Sequence, residues 1–220
     1  MSFGCGISLS AFQSDTIQAP RIARQLAIVK EFVISAESGR PVEPLRFRVP
    51  LSCSHIRLVR LTSADTECLQ QYAADPVLSL SISVPRPFPA EGATNFVRAA
   101  RTAWRARRWL AFSIKHRNEF VGLLTIGCPD PDVALSYWVA RPFWNRGYAT
   151  AAVQQSLNRA TRFFGAIRVL AVCLENNLAS QRVLEKNEFK MLDRITISND
   201  RFRDEPAIVY VFDPPAVTES

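Results

Sequence analysis

Between Val133 and Thr150 the chain reads VALSYWVARPFWNRGYAT. An apolar strand is followed by a short basic turn and a glycine at the entry to a helix. A helix entry carries unpaired backbone N–H groups and the positive end of the helix dipole, which together bind phosphate without a dedicated side chain. Asn145 and Arg146 add a donor and a charge just ahead of Gly147, whose missing Cβ lets the backbone come close to an anion. The chemistry this spacing supports is the holding of a pyrophosphate-containing cofactor over residues 145–150. The segment has no GxGxxG, which disfavours a Rossmann dinucleotide site, and no GxxxxGK[ST], which disfavours a P-loop.

The elements that must position these residues are legible from His55 onward. Ile56 to Leu61 alternates as a strand with an apolar face. Thr62 with Asp65 forms a capping box for a helix running to about Ala74. Pro85, Pro87 and Pro89 mark a loop. A second helix is expected over Ala90–Arg108, with Val97, Ala100 and Trp104 on one face. Leu110–Ile114 and Glu119–Ile126 read as a hairpin turning at His116 to Asn118. Val133–Val139 is the next strand. Tyr148–Phe164 carries Ala149, Ala152, Val153, Ser156, Leu157, Ala160 and Phe164 on one helical stripe, with Gly165 as its stop.

Arg168–Leu174 is almost continuously apolar, as in a strand covered on both faces, and completes a parallel βαβ crossover. A short helix over Ala179–Asn187 and an antiparallel pair, Lys190–Ile197 with Ala207–Phe212, close the order βααβββαβαββ. The fold class is α/β (α+β): one mixed, mostly antiparallel sheet flanked by helices around a central parallel βαβ unit.

Bulk properties exclude several classes. With 220 residues and 48% hydrophobic composition the chain suits one domain with an extension. Residues 1–53, rich in Ser, Gly and Pro, read as a partly irregular extension, in which only Ile22 to Ser35 looks ordered. Residues 54–214 form the domain and 215–220 a tail. The net charge of +7 favours anionic partners but also simply keeps a protein soluble. Charge alone does not make nucleic acid an expected partner. Cys5, Cys53, Cys68, Cys128 and Cys173 are scattered singly and His55 and His116 are the only histidines, so neither a metal site nor a disulfide framework is expected, and a reducing cytoplasm is the expected home. No run approaches the length of a membrane span and no signal-peptide pattern opens the chain.

Four blocks resemble one family: IRLVRLTSADTECLQQYAADP, NEFVGLLTIG, SYWVARPFWNRGYATAAV and ENNLASQRVLEKNEF. They resemble the GNAT superfamily of acyl-CoA-dependent N-acetyltransferases, within it the branch that includes the ribosomal-protein alanine N-acetyltransferases. The resemblance runs from about His55 to Phe212 and rests most on the last two blocks in that order. It implies acetyl-CoA as co-substrate and a primary amine as acceptor, either a protein N-terminus or a small molecule, with direct attack in a ternary complex.

The resemblance also implies site residues. The pyrophosphate would lie on Asn145, Arg146, Gly147, Tyr148, Ala149 and Thr150. The pantetheine arm would pair with the main chain of Trp138, Val139 and Ala140, where Val139 N–H would serve the oxyanion. Asn177 would contact the cofactor arm, and Ser180 would protonate the leaving thiolate. A homodimer fits the pattern, and a catalytically weak acyl-CoA-binding or partner-binding module is the alternative.

Each assignment has a plainer counterpart. Asn177 and Ser180 also suit a helix start satisfying its own backbone groups. Tyr137 and Trp138 suit core or acceptor-pocket walls. Cys128 and Cys173 suit inert buried thiols, and His116 a solvated turn. Arg101, Arg105, Arg107 and Arg108, with Trp104 and Trp109, suit a solvated helix face or a docking surface for an acidic acceptor. The chain also departs from the family pattern. Ala134 stands where a glutamate is frequent, Ser136 and Glu188 where glycines are usual, and Ala151 where a second glutamate often follows. No general base is therefore assigned. Asp132, in the preceding loop, is the nearest carboxylate in sequence.

Overall fold

A computed structural model describes residues 55–127, 132–164, 168–198 and 202–213. The extension over 1–53, the tail over 215–220, Cys128 and the helix stop at Gly165 lie outside the described residues.

The first strand, β1 (Ile56–Arg60), buries Ile56 and Leu58 and exposes Arg57, Val59 and Arg60. The capping box forms as read: Thr62 N–H donates to Asp65 Oδ2 at 3.1 Å and a short 3-10 turn leads into α1 (Thr66–Ala73). The second helix, α2 (Gly92–Arg105), stops short of Arg108. Arg107 takes a left-handed φ of 54°, which an α-helix cannot continue through, and Arg108 N–H returns to Ala103 O at 3.0 Å to close the end. Strands β2 (Trp109–His116) and β3 (Glu119–Gly127) form the expected hairpin. Arg117 and Asn118 both take positive φ, as a two-residue turn matching the strand twist requires.

The remaining elements are β4 (Val133–Val139), α3 (Tyr148–Phe164), β5 (Val169–Leu174), α4 (Leu178–Glu185), β6 (Lys190–Thr196) and β7 (Pro206–Phe212). They build one seven-stranded sheet in the order β1-β2-β3-β4-β5-β7-β6, antiparallel except between β4 and β5. Register sorts the side chains: Phe112, Leu124 and Tyr137 lie opposite one another, as do Ser113, Leu123 and Trp138. Because directly paired residues share a face, the first row turns to α3, whose Arg159 stands over Phe112, and the second to α1.

On the α1 face Asp65 is buried, accepts from Ser113 Oγ at 2.8 Å and pairs with Lys115. Burial alone would raise its pKa. The hydrogen bonds from Lys115, Ser113 and Thr62 and the lysine charge outweigh it and hold the carboxyl below its ordinary range.

Helix α3 covers the other face. Ala149, Ala152, Val153, Leu157 and Ala160 are buried, as their helical spacing requires. Its Gln155 donates to Ile56 O at 2.7 Å and accepts from Leu58 N–H at 3.3 Å, so one side chain occupies both kinds of backbone group on the edge strand β1. His116 ends β2 rather than hanging in a solvated turn, and its ring stacks on Tyr148 at 4.9 Å between centroids. Tyr148 opens α3, so this stack pins the helix entry to the hairpin.

Candidate functional site

Strands β4 and β5 pair at only two positions, Val133 with Val169 and Ala134 with Leu170. Past Ala134, β4 stays laddered to β3 as far as Val139 opposite Gly122. Past Leu170, β5 stays laddered to β7 as far as Leu174 opposite Ala207. Each strand thus follows its antiparallel neighbour, and the two diverge to leave a wedge at their C-terminal ends. In α/β sheets such a gap at the carboxyl ends is where ligands bind.

The wedge takes its polar groups first from the β4 main chain. Ala140 N–H donates to Val121 O at 2.8 Å. In an antiparallel ladder the N–H and C=O of one residue point the same way and successive residues alternate. Ala140 and Trp138 therefore direct their main-chain groups at β3, while Tyr137 and Val139 direct theirs at the wedge. Trp144 fixes this end further: its indole N–H donates to Val139 O at 2.6 Å. Gly122 permits the close approach behind it, for a Cβ there would stand 2.2 Å from Trp138 O and 3.0 Å from Val139 Cα.

Beyond β4 a 3-10 turn over Arg141–Phe143 leads to the helix entry. Asn145 and Gly147 take positive φ of 62° and 75°, and Asn145, Arg146 and Gly147 are exposed while Tyr148 and Ala149 are buried and Thr150 half-buried. An exposed turn with left-handed residues thus precedes the unpaired N–H groups of the first turn of α3. Arg146 is carried over the Phe143 ring at 5.7 Å, and Phe143 meets Tyr72 of α1 edge-on. Arg141 pairs with Asp75, just past α1, at 3.1 Å.

The other wall is the start of α4, which follows β5. Asn177 is buried and caps the helix, its Oδ1 accepting from Ser180 N–H at 3.1 Å. Ser180 is fully buried, and its Oγ lies 3.0 Å from the hydroxyl of Tyr137 on β4. This hydrogen bond is a strut between the two walls after the backbone ladder has parted. Further on, Asn187 donates to Val183 O at 2.8 Å and Thr150 O at 3.3 Å, joining α4 to the first turn of α3.

The structure therefore gathers Val139, residues 145–150, Asn177 and Ser180 around one wedge, with Trp138 and Ala140 on its β3 side. Asp132 is excluded from that gathering. It precedes β4, seven residues from Val139, which at about 3.3 Å per strand residue places it roughly 20 Å away. There it is buried beside Arg168, which pairs with Asp213 at 3.2 Å. Burial pushes the Asp132 carboxyl up, the Arg168 charge opposes this and the Asp213 charge adds to it. Ala134 and Ser136 are half-buried on the face of β4 that carries Trp138.

Cys173 is buried, as read. Trp104 and Trp109 pack against Phe112 and Phe96, and the arginines of the α2 end are exposed. The sequence reading did not single out Gly122, Trp144 or Asn187 and treated Tyr137 as a wall. Gly122 had a signal, since a glycine inside a strand marks close backbone approach. Among the described residues no cluster of His, Cys, Asp and Glu could hold a metal ion, and no helix is long and apolar enough to cross a membrane.

A family model described as an acetyltransferase (GNAT) domain matches residues 55–190. No curated protein matches the chain. Among solved structures, the chain is similar to RimL, a ribosomal L7/L12 alpha-N-protein acetyltransferase in complex with coenzyme A. The TM-score is 0.66 at 17% identity, covering 73% of this chain and 94% of that one. It is similar to Mycobacterium smegmatis RimJ in complex with CoA-disulfide, with a TM-score of 0.65 at 20% identity over 75% of this chain and 85% of that one. It is also similar to Vibrio cholerae spermidine N-acetyltransferase in complex with CoA and spermine. That TM-score is 0.63 at 10% identity over 73% of this chain and 96% of that one. At these identities the likeness shows the fold.

Proposed function

The chain belongs to the GNAT acetyltransferase family, and from that premise we propose that it transfers the acetyl group of acetyl-CoA to a primary amine, with a protein N-terminus as the acceptor class. The observation that carries the site assignment is the wedge between β4 and β5, which opens beside the left-handed Gly147 entry to α3. The fit is physical: an extended pantetheine amide chain needs strand-like main-chain partners, and a pyrophosphate needs N–H groups and a nearby cation. The wedge presents the first and residues 145–150 the second. The protein N-terminus is favoured over other amines by the likeness to RimL and RimJ.

In this reading Asn145, Arg146, Gly147, Tyr148, Ala149 and Thr150 hold the pyrophosphate, chiefly through main-chain N–H groups. Val139, whose C=O accepts the Trp144 indole N–H, presents its N–H to the thioester carbonyl, where negative charge develops during attack, with the pantetheine arm alongside it. Trp138 and Ala140 anchor that segment to β3, so the donor costs no reorganisation when the charge appears. Asn177 holds the start of α4 against the arm, and Ser180 gives a proton to the departing sulfur. Ala134 supplies no base, so the amine loses its proton to water as it enters the wedge. Both substrates are bound together and no enzyme-bound acyl group is needed.

Calorimetry with acetyl-CoA tests the cradle. Wild-type protein binds saturably. Gly147→Val, forced into a left-handed backbone at about 1–2 kcal/mol, binds at least tenfold more weakly. Equal affinities would remove residues 145–150 from the cofactor site. Thiol release over a panel of peptides, polyamines, aminoglycosides and amino acids tests the acceptor. Peptides with a free N-terminus give the highest kcat/KM, and preference for a polyamine would overturn the acceptor class. Absence of release with every amine would leave a binding module.

A further inference from the structure

Ser180 is a poor acid by itself. An alkyl alcohol gives up a proton far less readily than a thiol, so a lone serine hydroxyl protonates a thiolate only uphill. A phenol, near pKa 10, lies within about 1.5 units of a thiol near 8.5. The structure places a phenol directly behind the serine: the Tyr137 hydroxyl is 3.0 Å from Ser180 Oγ and 3.3 Å from Ser180 O. Both residues are buried, Tyr137 at 1% exposure and Ser180 at 0%, so bulk water does not take the place of either partner. The two belong to opposite walls of the wedge, Tyr137 to β4 and Ser180 to α4. Ser180 is also held from below, since Asn177 Oδ1 accepts its main-chain N–H at 3.1 Å. The serine is thus fixed at its backbone by one neighbour and faced at its side chain by another.

We propose that Tyr137 is a positioning and proton-supplying residue that acts through Ser180. It rests on the assignment of Ser180 as the donor to the leaving sulfur. When Tyr137 O–H donates to Ser180 Oγ, the serine's own hydrogen must point away from the phenol. As the carbon–sulfur bond breaks, its electron pair goes to sulfur, the Ser180 proton follows, and the Tyr137 proton moves onto Ser180 Oγ. The acceptor nitrogen sheds one proton to solvent in the same turnover. Once the thiol has left, a water entering the emptied wedge gives a proton to Ser180 Oγ and the serine passes one back to the Tyr137 phenolate, so the count of atoms and charges closes. Tyr137 touches neither substrate in this scheme. Its aromatic ring remains a core side chain and only its hydroxyl serves the reaction.

The test uses the full chain and acetyl-CoA with the best amine of the panel. Tyr137→Phe keeps the ring and removes the hydroxyl. The expected result is a fall in kcat of tenfold or more, a KM for acetyl-CoA within about twofold of wild type, and a smaller solvent deuterium isotope effect on kcat. Ser180→Ala lowers kcat similarly, and the double variant is no worse than the poorer single one, because both changes cut one relay. If Ser180→Ala lowers kcat while Tyr137→Phe does not, the relay is overturned and the serine assignment stands. If Ser180→Ala leaves kcat unchanged, the serine assignment falls and the relay with it. A rise in KM with additive losses in the double variant assigns Tyr137 to packing alone and overturns the relay. Should Tyr137→Phe fail to fold, a fluorotyrosine at position 137 preserves packing and acidifies the phenol. The alkaline limb of the kcat profile then moves to lower pH, and an unmoved limb overturns the relay.

Discussion

The two ends of the β4–β5 pair begin as the same thing, parallel apolar strands side by side, and finish differently. At the closed end Val133 and Ala134 ladder onto Val169 and Leu170, and Val133 N–H donates to Arg168 O at 3.1 Å. Asp132, Arg168 and Asp213 gather charge around that end. At the open end the β4–β5 ladder has ended, and the Tyr137 hydroxyl meets Ser180 across the gap. A buried carboxylate with its ion-pair neighbours sits where the strands are tied, and a hydroxyl pair bridges them where they part. The difference teaches that the wedge is made by competition: antiparallel partners on both sides, Gly122 and Trp144 holding β4 and Ala207 to Phe212 holding β5, draw the strands away from each other.

The largest break in that contrast comes from Gly122→Ala. The new Cβ would collide with Trp138 O and press β4 into the wedge. Misplacing the Val139 donor lowers kcat/KM roughly hundredfold, and the overpacking costs about 1–3 kcal/mol by denaturant unfolding. Wild-type kcat/KM in a folded Gly122→Ala protein would show that the open end does not depend on this close approach.

At the closed end Asp132→Asn sharpens the contrast by doing nothing to turnover. Burial raises the Asp132 pKa in the folded state, so the folded protein holds its proton more tightly than the unfolded chain does. Stability is therefore lost as pH rises from the ordinary carboxylate value through the raised one. The asparagine variant loses that pH-dependent loss, melts no lower than wild type at neutral pH, and keeps kcat unchanged. A large drop in kcat would return Asp132 to the chemistry.

The smallest effect is at Glu188, outside both ends. Its φ of 64° closes α4, with Phe189 N–H donating to Leu184 O at 3.1 Å and Glu188 N–H to Glu185 O at 3.0 Å. This is the left-handed cap that glycine takes without strain, so Glu188→Gly is expected to stabilise the fold by about 1 kcal/mol, a rise of roughly 2–4 °C in Tm. A lower Tm would mean that the glutamate side chain contributes more than the strain.

Most of the elements could be read directly. Tyr148–Phe164 and Val133–Val139 coincide with their expected bounds because a seven-residue strand and a seventeen-residue helical stripe repeat their period several times. The α2 end could not, because Arg107 adopts a left-handed conformation that no glycine announces. Asp132 looked close to the site because sequence neighbours seem near, whereas a strand carries its two ends to opposite edges of the sheet. Tyr137 looked like a wall because its ring is one, and its hydroxyl partner lies 43 residues away.

The amino-acid sequence by itself determined the glycine-marked helix entry at Gly147, the capping residues Thr62 and Asn177, and the family to which the blocks belong. These depend on residues within a turn or two of one another, where backbone geometry and side-chain type suffice. Only the tertiary structure decided that β4 and β5 part after two rungs, that Val139 rather than Trp138 or Ala140 faces the gap, and that Tyr137 meets Ser180. Those outcomes depend on register with β3 and β7 and on helix α4 folding back onto β4. Long-range pairing fixes both, and local spacing does not encode them.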